Sequence, residues 1–448
     1  MLNTLARPVV RVSERWLPGS LVFAVALTLI VGLLALGLTD SGPVEVVRAW
    51  GDGLTGLLEF MTQMALVLLL GYVLANTGPV RRLLQGAARV PKTPAQAYGF
   101  VCFCAAVASL VTWGLGLVVA AMLSIEVAHS ARERGLRLHY PLLVAAGYSG
   151  FVVWHMGYSG SGPLAIATAG SLSGVDLVVP VSETIFAPWN IAAALATVVL
   201  VTGAMMLMTP RRGDAVVELP EGARLSNEGR GEDTVVPSGS TTPAERVDRS
   251  RAVTLVIGLL LLAYLVVYFG QEGFALTLDI VNWTFLCLVL LLVRSPQELG
   301  SLVADAARNV GDILLQFPMY AGILGIMTVT GLIGVFADFF VSISTEQTLG
   351  LWSFLAGGVI NMFVPSGGGQ FAVQAPIFLD AASQLGVDPA VVVMGIAYGD
   401  QWTNMIQPFW ALPLLAIARL RIRDVMGFTT VTLVVSGVVF GVTMLLAS

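Results

Sequence analysis

The sequence predicts an all-α polytopic membrane protein, and three observations carry that expectation. Hydrophobic residues make up 56% of the 448 and charged residues only 11%, with a mean hydropathy of +0.85. Soluble domains run at about 45–50% and roughly 25%. The apolar residues form long continuous runs, which excludes the alternation of a transmembrane β-barrel. Lys and Arg cluster between the runs. The same composition disfavours other classes. A net charge of -5 without a basic patch argues against a nucleic-acid partner. The three cysteines, Cys102, Cys104 and Cys287, lie inside apolar stretches, so no disulfide framework is expected.

The runs occupy about 20–39, 55–77, 96–128, 140–168, 185–208, 253–270, 279–293, 310–336, 349–379, 389–418 and 425–447. A straight span needs about 20 residues. Run 20–39 follows Arg7, Arg11 and Arg15. At about 19 residues it exceeds the apolar region of a cleaved leader, so it is expected to stay as the first helix. Runs 96–128, 140–168, 349–379 and 389–418 are too long for one span and carry Gly, Pro or polar residues in the middle.

Charge then sets the topology. Basic clusters at 7–15, 81–92, 132–137, 211–251, 294–308 and 419–423 alternate with loops 40–53, 169–184, 271–278, 337–348 and 380–388, where only Arg48 is basic. Lys and Arg prefer the cytoplasmic side. All but Arg48 share that side if runs 96–128 and 349–379 each return through the face they entered. Arms of about 15 residues are too short to span, so these runs read as two re-entrant hairpins, one from each face. About nine transmembrane helices remain, with the N-terminus inside and the C-terminus outside an inner (cytoplasmic) cell membrane. Segment 211–251, with seven Arg and eight Asp or Glu, reads as a disordered cytoplasmic linker.

The halves echo each other. Tyr148 to Pro163 and Tyr398 to Pro413 share their spacing. Trp113-Gly114-Leu115-Gly116-Leu117 falls where Pro365-Ser366-Gly367-Gly368-Gly369 falls, and Leu57-Leu58-Glu59-Phe60 echoes Leu314-Leu315-Gln316-Phe317. Each repeat has two helices, a hairpin, a broken helix and a final helix. Run 253–270 is a single extra crossing that inverts the second repeat. Inverted repeats with helices interrupted at mid-membrane are a signature of secondary transporters. The expected division is scaffold helices 1–94, a core of hairpin and broken helix 95–170, a last helix 171–210 and the linker 211–251. Then come a connecting helix and scaffold 252–348, a second core 349–418, and a last helix 419–448.

Irregular backbone survives in a membrane only where it is buried or lines a polar cavity. The four breaks are Thr112 to Gly116, Gly157 to Pro163, Pro365 to Gln370 and Thr403 to Pro408. Glycines there permit close approach, prolines free carbonyls, and helix starts aim N–H groups at the centre. Candidate substrate-binding residues are Trp113, Gly114, Gly116, Ser159, Gly160, Ser161, Ser366, Gly367, Gly368, Gly369, Gln370, Asn404 and Gln407. Candidate ion-coupling residues are Asp400, Thr112, Asn361 and Asn404, with a Na⁺ site near Asp400. The competing explanation for the glycines is helix packing. Asp400 stands about eleven residues into its run, near mid-membrane, where an ionisable group usually marks an ion or proton path. His155 is a weaker candidate, an imidazole facing Tyr158. Glu126 reads as interfacial, and Glu59 and Asp312 as capping or packing residues. No Lys or Arg lies in these segments, which favours a small monoanion over a dicarboxylate or phosphate. A membrane enzyme would need a catalytic constellation, and none stands out; no cofactor is expected beyond a coupling ion.

At these motifs the chain resembles the short-chain fatty acid (AtoE-type) transporter family. The resemblance runs through Arg15-Trp16-Leu17-Pro18, Trp50-Gly51-Asp52-Gly53, Trp113 to Val119, Ser159-Gly160-Ser161, Val364 to Gly369, Ala397-Tyr398-Gly399, Gln401-Trp402 and Gln407 to Pro413. It departs at Asp400, where the pattern carries Glu, and at Gln370-Phe371, where it carries His-Trp. The resemblance implies uptake of short monocarboxylates such as butyrate or acetoacetate. It also implies membership in the ion transporter superfamily, whose better-known members are sodium-coupled homodimers working by an elevator motion. A sodium/proton antiporter or a dicarboxylate carrier is the alternative within transport.

Overall fold

The computed structural model describes residues 20–172, 175–211, 216–219, 242–273, 275–308, 310–362, 366–407 and 410–448. Arg7, Arg11 and Arg15, most of the linker, Pro365, Pro408 and the side chain of Asp312 lie outside the described residues. Every regular element among the described residues is a helix.

The first half runs α1 (Ser20–Leu38), α2 (Pro43–Gly53), α3 (Leu58–Asn76), α4 (Gly78–Ala87), then α5 (Pro94–Val111) and α6 (Trp113–Glu133). A broken segment follows: α7 (Tyr140–Gly150), a 3-10 turn (Phe151–Met156) and α8 (Ser161–Ala167). α9 (Pro188–Leu207) ends this half, and α10 (Pro243–Asp248) and α11 (Arg251–Glu272) lead to the second. There α12 (Leu278–Leu292), α13 (Pro296–Ala307), α14 (Gly311–Val329), α15 (Leu332–Ile343), α16 (Leu349–Asn361), α17 (Gly367–Leu385), the broken α18 (Pro389–Thr403) and α19 (Ala411–Ala418), and α20 (Ile422–Ala447) repeat the order of α1 to α9. Packing is reciprocal between halves: α2 lies on α14 and α13 on α3, α8 on α17 and α19 on α6.

Helix α5 is capped by Thr93, whose hydroxyl accepts from Gln96 N–H, with Pro94 in the first turn. It ends at Thr112, whose extended backbone (φ -156°, ψ 137°) turns the chain into α6. The arms have 18 and 21 residues, about 27 and 32 Å at helical rise. They are longer than the sequence suggested, because α6 continues past its apolar run through His129 to Glu133 and stops before Gly135 (φ 72°). They still form a hairpin. Arg134 Nη1, just past α6, donates to Pro91 O, just before α5, at 2.7 Å. The second hairpin, α16 and α17, is tied across its arms by Gln370 Nε2 donating to Gly357 O at 2.8 Å.

Six helices are long and apolar enough to cross a membrane among the described residues, or seven with one bent pair counted as a span. Two of the six are the arms of the first hairpin, so this count differs in kind from the nine crossings read from the runs. Run 310–336 is not one straight helix either. It bends by 78° between α14 and α15, at Gly331 with φ 75°, a conformation glycine adopts without strain.

Contacts between helix ends sort them into two groups. Arg251 reaches Leu291 O, and Tyr140 OH donates to Ala418 O at 3.0 Å. These join ends flanked by basic clusters, as Arg134 and Pro91 do. Thr168 accepts from Leu278 N–H, and Ser448 lies against Gly350; those ends belong to base-poor loops.

Part of the linker is docked. Val217 N–H donates to His139 Nδ1 at 3.0 Å, and Val217 O accepts from Tyr140 N–H at 2.7 Å. Glu218 pairs with Arg137 at 3.2 Å, Leu219 O accepts from Arg132, and Leu219 is buried. The exposed ion pair contributes about 0–1 kcal/mol. The His139 bond is therefore the titratable lock. Burial pushes the His139 imidazole below its ordinary value, and only its neutral ring can accept from Val217. Because the folded pKa is depressed, the docking contribution is present above the ordinary histidine pKa of about 6.5 and is lost as pH falls through the folded value. Amide exchange at Val217, corrected for intrinsic rate, should be protected at pH 8 and released at pH 5. Equal protection at both would mean that His139 does not hold this strap.

Candidate functional site

The two broken helices cross at a buried polar centre. His155, on the 3-10 turn, and Asp400, in the last turn of α18, are both fully buried and joined by a 3.0 Å contact between Nδ1 and Oδ2. The backbone N–H of Gly162, which can only donate, lies 2.9 Å from His155 Nε2. Nε2 is therefore the acceptor, the ring is neutral, and Nδ1–H donates to Asp400. The sequence suggested Tyr158 as the neighbour of this imidazole, but Tyr158 OH donates instead to Thr284. His155 N–H donates to Gln401 Oε1 at 2.9 Å, which fixes the turn against α18.

Asn361, the last residue of α16, binds this centre. Its Nδ2 faces Asp400 O at 2.8 Å, Thr403 Oγ1 at 2.9 Å and Asn404 Oδ1 at 2.8 Å. Asp400 Oδ1, Asn361 Oδ1 and Gln370 Oε1 are buried oxygens without a hydrogen-bond partner. Leaving such acceptors bare costs roughly 1–3 kcal/mol each. They are oxygen ligands of the kind a hard cation takes.

Beside the centre lies a cavity of about 30 Å³, room for about two waters. One wall comes from the hairpins and broken helices: Trp113, Trp154, Trp410, Ser161 and the Ser366-Gly367-Gly368 tip. The other comes from α3 and α14: Met64, Ile313, Gln316 and Phe317. Trp154 is stacked between Phe151 (5.7 Å, 11°) and His155 (4.1 Å, 13°), which locks its ring. The indole N–H groups of Trp113 and Trp154 are buried without an acceptor. At the tip, Ser366 Oγ takes Gly369 N–H and Ser366 O takes Gln370 N–H. Gly367 and Gly368 supply N–H donors at the start of α17, where the helix dipole favours an anion. A side chain at Gly367 would put its Cβ 2.4 Å from Trp154 and 3.1 Å from His155 Cε1, so only glycine lets the tip rest beside the pair.

Of the residues singled out from sequence, Trp113, Ser161, Ser366, Gly367 and Gly368 line this cavity. Asp400, Asn361 and Asn404 form the centre behind it, while Gln370 bonds to Gly357 O and Gln374 within the second hairpin. Thr112 Oγ1 and Gln407 Oε1 are buried and without a partner. Ser159 accepts from Trp113 N–H at 3.1 Å and so fixes the first tip. Gly114 packs on the α3 backbone around Leu68 to Tyr72, Gly116 on Ser109, Gly160 on His155 O, and Gly369 on Tyr320. Gly114 and Gly369 thus pack on other elements and Gly116 on the other arm of its own hairpin, while Trp113 brings the first tip to the cavity that Gly367 and Gly368 line. Sequence reasoning missed Trp154, Trp410, Met64 and Phe317, and underweighted His155. The usable signal was that His155 and Asp400 are the ionisable groups placed near the middle of the two broken runs.

Comparison with known proteins gives a consistent picture. A family model described as short chain fatty acid transporter matches residues 1–447. The chain is 42% identical over 441 residues to a protein of Escherichia coli (strain K12) named "Putative short-chain fatty acid transporter", with 98% of each chain covered. It is 38% identical over 448 residues to the protein of the same name in Haemophilus influenzae, again with 98% of each covered. In fold it is similar to the crystal structure of the Alcanivorax borkumensis YdaH transporter, at TM-score 0.60 and 15% identity over 96% of this chain and 98% of that one. Full-length identity at this level, and a family match that spans both hairpins and both broken helices, make this chain a member of the short-chain fatty acid transporter family.

Proposed function

We propose that the protein is a secondary active transporter that imports short monocarboxylates, such as butyrate and acetoacetate, by symport with a cation. The observation that carries this reading is the helix start at Gly367 and Gly368, which lines a cavity without Lys or Arg beside the buried His155–Asp400 pair. Neutral donors suit one negative charge, and a second would need Arg or Lys. The coupling ion is Na⁺, taken at Asp400 Oδ1; the bare buried oxygens of Asp400 and of Asn361, which donates to Asp400 O, support that reading. Trp113, Trp154, Met64 and Phe317 around the cavity are buried, so we assign loading to a parting of the walls. We assign that motion to the cores 95–170 and 349–418 moving as an elevator against the scaffold helices of a homodimer. The inverted repeat is supported by the reciprocal packing of the halves. An inner-membrane placement with the basic helix ends inside is supported by the contacts that join such ends to one another, Arg134 to Pro91, Arg251 to Leu291 and Tyr140 to Ala418.

The test is uptake of labelled butyrate into proteoliposomes. An inward Na⁺ gradient should drive saturable accumulation above equilibrium, and excess succinate should not compete. Accumulation of succinate in place of butyrate, or Na⁺/H⁺ exchange without butyrate, would replace this reading with a dicarboxylate carrier or an antiporter.

A further inference from the structure

We infer that the wall formed by Met64 and Phe317 sets the acyl chain length that the site accepts. The inference rests on the monocarboxylate reading above and deepens it. The two cavity walls differ in chemistry. Ser161, Ser366 and the helix start at Gly367 and Gly368 lie on the hairpin and broken-helix side, beside the rings of Trp113, Trp154 and Trp410. Met64, Ile313 and Phe317, from α3 and α14, face them, with Gln316 as the polar member of that wall. A monocarboxylate has one polar end and one apolar end. Its carboxylate goes to the donors, which leaves the tail pointing at Met64 and Phe317.

The two residues play different parts. Phe317 is 2% exposed and is met edge-on by Phe60 at 5.7 Å and by Tyr320 at 6.1 Å. Held from two sides, it is a rigid stop. Met64 is 4% exposed, and its unbranched thioether adapts to the shape of what it touches. It also lies where the second hairpin seats, since a Cβ at Gly368 would stand 3.4 Å from Met64 Cγ. The tail length therefore decides whether the tip closes on the wall. A methylene more than the pocket holds is discriminated by about 10–200-fold, which is the scale on which such a wall can select.

The experiment is competition by unlabelled acetate, butyrate, hexanoate and octanoate against labelled butyrate in proteoliposomes, for the wild type, Met64→Val and Phe317→Leu. Each variant removes volume from the wall and adds no polar group to it. The wild type should favour butyrate over hexanoate. In Met64→Val the ratio of half-inhibitory concentrations, hexanoate to butyrate, should fall at least about 10-fold, and Phe317→Leu should extend tolerance towards octanoate. Ratios within twofold of wild type, in variants that still take up butyrate, would overturn the inference and leave the monocarboxylate reading intact. Should Phe317→Leu fail to insert, Met64→Val and Met64→Leu carry the test alone. Absence of competition by any of the four acids in the wild type would overturn both.

Discussion

Valine at position 368 should abolish uptake of butyrate while the protein remains folded and inserted. The Cβ of a side chain there would lie 2.7 Å from Phe60 Cζ. Phe60 is 1% exposed and set edge-on to Phe317, so its ring has nowhere to turn. The tip must lift instead, and its N–H donors move with it. A displacement of about 1 Å in a positioning element can cost roughly 100-fold in rate; alanine, with the same Cβ but no branches, should fall between. Gly116 gives the contrast. A Cβ there would stand 2.8 Å from Ser109 Cα, a contact between the two arms of the first hairpin. Gly116→Val should therefore lower the yield and thermal stability of the purified protein before it affects substrate selectivity. Uptake at wild-type rates by Gly368→Val would assign the second tip to packing as well.

That contrast shows what the sequence can and cannot express. Both tips were visible as glycine-rich interruptions of apolar runs, because such backbone needs a reason to exist in a membrane. Which glycines face a cavity and which face a helix depends on partners far away in the chain, and no local pattern separates Gly116 from Gly368. The same limit hid the partner of Asp400, which lies 245 positions away. The broken helices were legible from their Gly, Ser, Asn and Pro clusters. Helices α2, α4 and α13 were not, since their polar faces make them read as loops when only hydropathy is followed. Gly331 is one glycine among many in apolar runs, and only its positive φ marks the bend between α14 and α15. The docked strap at Val217 escaped because a segment rich in charge and small residues gives no sign of which four residues will find acceptors.

Asp400→Asn should remove the stimulation of uptake by Na⁺. Asparagine keeps an oxygen for His155 Nδ1–H, so the contact that orients the 3-10 turn survives. Its amide N–H₂ then occupies the place of Asp400 Oδ1, a donor where the cation needs an acceptor. An isolated carboxylate this deep is costly to keep charged, and His155, neutral and clamped by Gly162, supplies a hydrogen bond but no charge. In the symport reading the remaining stabilisation comes from the transported cation. If Na⁺ supplies it, ion and butyrate share a coupling free energy of about 1–3 kcal/mol, so butyrate affinity in saturating Na⁺ should fall by about 5–150-fold in the variant, to the level the wild type shows without Na⁺. The same reciprocity requires that Na⁺ affinity of the wild type rise by the same factor when butyrate is bound, a quantity that calorimetry on the purified protein reads without transport. Uptake by the wild type that ignores Na⁺ and follows an imposed pH gradient would replace the sodium ion with a proton on Oδ1, and Asp400→Asn would then abolish the response to pH. Normal transport by the variant under both gradients would leave Asp400 as the structural partner of His155, with its unpaired oxygen unrelated to coupling.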